Sequence, residues 1–72
     1  MRQILLKALQ AHYEGVIAIA QANVEVYLQN PVGVGEHSDI IETADKEITK
    51  LAEAHDSLEM LETYFITKTP RI

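Results

Sequence analysis

Polar residues are sparse and regularly placed in the first part of the chain. Between Gln3 and Asn30, the residues Gln3, Lys7, Gln10, Glu14, Gln21 and Glu25 fall on one narrow stripe at about 100° per residue, and nearly everything else is apolar. The stretch holds no proline and is rich in Leu, Ala, Gln and Glu, which predicts a helix over about residues 3–30, roughly 40 Å long. Its β-branched residues Val16, Ile17, Ile19, Val24 and Val26 lower the intrinsic propensity, so packing must hold it helical. Asn30-Pro31 ends it, because the residue before a proline is pushed out of the α region. Val32-Gly33-Val34-Gly35 reads as a short loop. A second helix is expected over about residues 38–65, capped near His37, Ser38 or Asp39, with Glu36, Asp39 and Glu42 complementing its N-terminal dipole. The tail 66–72 has no helical period and reads as extended or frayed.

The second helix carries an apolar stripe of Ile41, Ala44, Ile48, Leu51, Ala52, His55, Leu58 and Phe65. The first is apolar over a much wider arc, which divides into three rows. Leu5, Leu9, His12, Val16, Ile19, Asn23 and Val26 form the expected seam with the second helix. Ala8, Ala11, Gly15, Ala18 and Ala22 form a row of small residues that lets another helix approach closely. The third row is Leu6, Tyr13, Ile17, Ala20, Val24 and Tyr27. One partner helix cannot cover all three, and an uncovered remainder would exceed the apolar patch that soluble monomers tolerate. The pattern therefore predicts an all-α fold: an antiparallel two-helix hairpin forming one domain over residues 1–72, assembled into a homodimeric four-helix bundle with the first helices inside. The expected oligomer contacts are Ala8, Ala11, Gly15, Ala18 and Ala22 together with Tyr13, Ile17, Ala20, Val24 and Tyr27. If Val34 centres the turn, Leu9 faces Leu58, His12 faces His55, Val16 faces Leu51 and Asn23 faces Ala44 and Asp45.

Seventy-two residues leave no mass for a separate catalytic domain, and without cysteine neither a disulfide nor a thiolate metal site can reinforce a small core. Oligomerisation is the remaining staple. At 47% hydrophobic and 24% charged residues the chain should fold rather than stay disordered. A net charge of -5 lacks the basic footprint of nucleic-acid or anionic-membrane binding. The opening apolar run is broken by Lys7, Gln10, His12 and Glu14, too early for a signal-peptide core or a membrane span, which points to the inside of a cell.

Candidate chemistry is thin. His12 and His55, brought together by that register, are weak metal candidates: bundle metal sites draw on several inward carboxylates and Glu-x-x-His spacing, whereas Leu9 and Ala52 stand three residues before the two histidines. A buried structural pair is the plainer reading, and it would make the fold sensitive to acid. Gly33, Gly35, Glu36 and His37 place two glycines before a helix N-terminus, an arrangement that can hold an anion. It lacks phosphate-loop spacing, and Glu36 and Asp39 repel phosphate, so a plain loop and cap is the simpler account. Asn23 is the one polar residue of the expected seam, a device for fixing register. Ser38 and Ser57 lack a nucleophile context, and the sequence predicts no enzyme and no cofactor.

The segments Ala11-His12-Tyr13-Glu14-Gly15, Ala22-Asn23-Val24, Tyr27-Leu28, Asn30 to His37 and Leu58 to Phe65 resemble a family of small uncharacterised helical proteins encoded by contractile-tailed bacteriophages, including marine cyanobacterial phages. The resemblance implies a setting, the host cytoplasm or the virion, and no chemistry. Two functions follow as expectations. One is a non-enzymatic protein-protein interaction or scaffold role, with a host or phage protein meeting the acidic outer face of Glu42, Asp45, Glu47, Glu53, Asp56, Glu59 and Glu62. The other is a sponge for a nucleotide signal, bound at residues 33–39.

Overall fold

A computed structural model describes residues 1–29 and 37–66, and the side chains of all of these except His37 and Ser38. The chain forms two helices of 28 residues, α1 (Arg2–Gln29) and α2 (His37–Tyr64), packed antiparallel as a hairpin. Each boundary lies within one residue of the sequence expectation. The loop and the tail beyond Ile66 lie outside the described residues.

Six hydrogen bonds mark the helix ends and tie the two helices together. Leu5 N–H donates to the Met1 carbonyl at 3.1 Å to start α1, and Phe65 and Ile66 N–H both donate to the Leu61 carbonyl, at 2.9 and 3.1 Å, to close α2. Arg2 Nη2 then donates to the Phe65 carbonyl at 3.2 Å, bridging the two termini. No basic residue occupies the last turn of α2, so this guanidinium from α1 answers the free carbonyls and the negative dipole end there. Further in, Gln10 Nε2 donates to Glu62 Oε2 at 3.3 Å and Asn23 Nδ2 to Glu47 Oε1 at 3.0 Å. Asn23 thus reaches Glu47, three residues beyond Ala44, while Arg2 with Phe65 keeps the register expected for a turn centred on Val34.

The seam runs along Leu6, Gln10, Tyr13, Ile17, Ala20, Val24 and Tyr27 of α1 and Ile40, Ala44, Glu47, Leu51, Ala54, Leu58 and Leu61 of α2, all buried or half-buried. Both rows alternate steps of four and three, the spacing of a coiled-coil seam. This corrects two expectations. The α1 seam is the third apolar row, and the row expected there lies about 100° around the helix, each member one residue before a seam position. On α2, Ala44, Leu51 and Leu58 do face α1, whereas Ile41, Ile48, Ala52, His55 and Phe65 are exposed. Both α1 rows share the same three-four spacing, so periodicity does not choose between them; the small Ala20 at the contact and the Gln10–Glu62 hydrogen bond go with the third.

Among the described residues the only buried apolar side chains are Ala20, Ala54 and Leu61, and no large side chain is fully enclosed. Alanines at the seam bring the helices close, and that sets a test. Ala20→Leu inserts a branched side chain where Ala20 is 1% exposed, and is expected to cost about 1–3 kcal/mol. Gln21→Leu, on the exposed side, should change stability by less than about 0.5 kcal/mol. Urea unfolding of both variants checks this, and equal midpoints would contradict the assigned seam.

Candidate interaction surface

The rotation of α1 leaves its bulkiest row in water. Leu5 is 56% exposed, Ile19 64% and Val26 57%, with Leu9 and His12 also exposed and only Val16 and Asn23 half-buried. Beside it, Ala8, Ala11, Ala18 and Ala22 are exposed, and a Cβ added at Gly15 would meet no atom within 4 Å. These two rows form one apolar strip that runs from the flank of α1, where Leu9, His12, Val16 and Asn23 still border α2, round to the side turned away from it. The expected oligomer contacts therefore divide. Ala8, Ala11, Gly15, Ala18 and Ala22 lie on this strip, while Tyr13, Ile17, Val24 and Tyr27 are half-buried against α2 and Ala20 is enclosed by it. Ala20 cannot touch a second molecule in the folded hairpin.

Charge is divided as sharply as hydrophobicity. On α1, Arg2 and Lys7 balance Glu14 and Glu25. On α2, Asp39, Glu42, Asp45, Glu47, Glu53, Asp56, Glu59 and Glu62 stand against Lys46 and Lys50 alone. The exposed Ile41 and Ile48 of α2 thus sit on an acidic helix, and the exposed apolar strip of α1 on a neutral one.

Glu47 departs from the outer acidic face on which the sequence reading placed it. It is buried in the seam, accepting from Asn23 on Oε1 and from Lys50 Nζ on Oε2, the latter at 3.0 Å. The Asn23 hydrogen bond holds its pKa below the ordinary glutamate value, helped by the Lys50 hydrogen bond and charge; burial acts the other way and is outweighed. The signal in the sequence was positional: Glu47, Ala54 and Leu61 are seven apart, so a stripe containing the last two contains the first. Asn23 does act inside the fold, with Glu47 as its partner in place of Ala44 and Asp45.

The remaining candidates are not assembled into a site. His12 and His55 are both exposed. His12 lies beside Val16, Lys50, Glu53 and Ser57 in a groove on one side of the hairpin and tilts against its neighbour Tyr13, ring centroids 5.4 Å apart. His55 follows the seam residue Ala54, whereas His12 precedes Tyr13, and in an antiparallel pair those positions fall on opposite sides. The expected histidine pair in the seam is thereby corrected, and among the described residues no three His, Asp or Glu side chains cluster in a way that could hold a metal ion. Gly33, Gly35 and Glu36 lie outside the described residues, and His37 is placed only as the first residue of α2. A cleft of about 430 Å³ opens between the ends of the helices, lined by Leu6, Leu9 and Tyr13 of α1 and by Ser57, Met60, Leu61 and Phe65 of α2, with Asp56 at its edge. Its few polar groups suit apolar side chains better than a polar ligand. Among the described residues no helix is long and apolar enough to cross a membrane.

No family model matches the chain, and neither a curated protein nor a solved structure is similar to it.

The buried carboxylate makes a prediction about acid. Because Glu47 is held below its unfolded value, its contribution to stability is complete above the unfolded glutamate pKa of about 4.3 and is lost as pH falls through the lower folded value. Melting temperature measured from pH 7 to pH 3 should fall more steeply for the wild type than for Glu47→Gln, which keeps the shape and cannot titrate. Parallel curves would show that the Asn23–Glu47 contact does not form in solution. Asn23→Ala should lower stability at neutral pH by leaving the carboxylate without its seam partner.

Proposed function

We propose that this chain is a non-enzymatic interaction protein that works as a homo-oligomeric helical bundle, a dimer of hairpins with the α1 helices inside. One observation carries the reading: most of the Leu5 to Val26 strip is exposed, with Leu5, Ile19 and Val26 more than half so and the alanine row beside them uncovered within the chain. With the strips joined, the acidic α2 helices would form the outside, leaving a surface of carboxylates for a host or phage protein with a basic face.

A phage setting, inside the host cell or on the virion, rests on the resemblance of the Ala11 to Gly15, Ala22 to Val24, Tyr27-Leu28, Asn30 to His37 and Leu58 to Phe65 segments alone. Co-purification with phage particles separates a virion component from a protein free in the host cytoplasm.

Light scattering across a concentration range, with helicity followed in parallel, tests the assembly. The expected result is a mass near twice 8.1 kDa that falls on dilution together with helicity. A fully helical monomer at every concentration would overturn the homo-oligomer and make the strip a docking site for a different protein.

A further inference from the structure

Building on the homo-oligomer reading, we infer that two copies pair through α1 in antiparallel orientation, with the twofold axis passing beside Gly15 and Val16. The exposed strip is complementary to its own reverse. Turned end for end about that point, Leu5 meets the second copy's Val26, Leu9 meets Ala22, His12 meets Ile19, and Val16 meets Gly15. Bulky residues of one strip therefore fall on one another or on small residues of the other, as two interlocking helix faces require.

Charge selects both the helix and its direction. Pairing through α2 would oppose two strongly acidic helices, whereas α1 carries its charges in balance. Within α1 the cations Arg2 and Lys7 lie at one end, and the anions Glu14 and Glu25 lie in the middle and toward the other. Antiparallel pairing sets the cationic end of one copy beside the anionic end of the next and opposes the two helix dipoles favourably; parallel pairing stacks like on like. Gly15 fits this geometry. Glycine is a poor helix residue, and the hairpin itself leaves open space where its Cβ would stand. At the crossing point of two α1 helices the missing Cβ brings the backbones together.

The chain has no cysteine, so single-cysteine variants report the pairing directly. Under mild oxidation Val16→Cys should form a covalent dimer. Leu5→Cys alone and Val26→Cys alone should not, while a mixture of the two should. Parallel pairing would instead cross-link all three singly, which overturns the inference and leaves the α1-inside dimer intact; pairing through α2 would cross-link Ile48→Cys and leave Val16→Cys monomeric, which overturns the inference and the α1-inside arrangement together while the chain remains a homo-oligomer. A monomeric wild type would overturn both. As an independent arm free of thiols, Gly15→Leu should remain helical but lose the dimer at concentrations where the wild type keeps it, and Ile48→Glu should keep it. Retention of the dimer by Gly15→Leu would exclude a close crossing at that point.

Discussion

A pair of helices has a seam but no interior. Each helix can turn only about a third of its circumference toward the other, so a two-helix chain buries one stripe per helix and leaves the rest to water. Everything distinctive about this molecule follows from that constraint meeting an α1 whose apolar arc is far wider than one stripe. The seam it does form is built on alanines, with Ala20 and Ala54 buried and no large side chain fully enclosed. It is a close contact in which the larger side chains are only half-buried, while Leu5, Leu9, Ile19, Ile41 and Ile48 lie outside it.

With so little apolar burial to specify how the helices meet, polar contacts take over that task. Arg2 on the Phe65 carbonyl fixes the open end, Gln10 on Glu62 the next turns, and Asn23 on Glu47 the far half of the seam. Of these, Arg2–Phe65 and Gln10–Glu62 are exposed, and the part-buried Asn23–Glu47 contact is the one shielded from water. The Asn23–Glu47 pair carries the greatest weight because Glu47 is buried: without a donor, its carboxylate would be dehydrated and unpaired. Lys50, largely exposed, completes the pair by capping the second carboxylate oxygen from the solvent side.

The helices themselves were legible in the sequence, since Pro31 and the glycines after it stop one helix and let another start, and the 3.6-residue period is clear in both. The rotation of α1 was not legible. The row beginning at Leu5 and the row beginning at Leu6 have the same spacing, and bulk favours the first, whereas the chain buries the second around Ala20. A register judged on apolar pairing alone therefore placed His12 against His55, where the chain instead sets both in water on opposite sides. Glu47 was hidden for a related reason: an acidic residue on an acidic helix reads as solvent-facing until its seven-residue spacing to Ala54 and Leu61 is considered beside the need of Asn23 for a partner.

On the proposed dimer, the folding unit would be divided between chains, the hairpin supplying direction and register and a second copy supplying the missing interior. The melting temperature as a function of protein concentration tests that claim most directly, because a native state completed by association gains stability by mass action. The account predicts a melting temperature that rises steadily as the chain is concentrated. A melting temperature independent of concentration, for a chain that is fully helical when dilute, would contradict it.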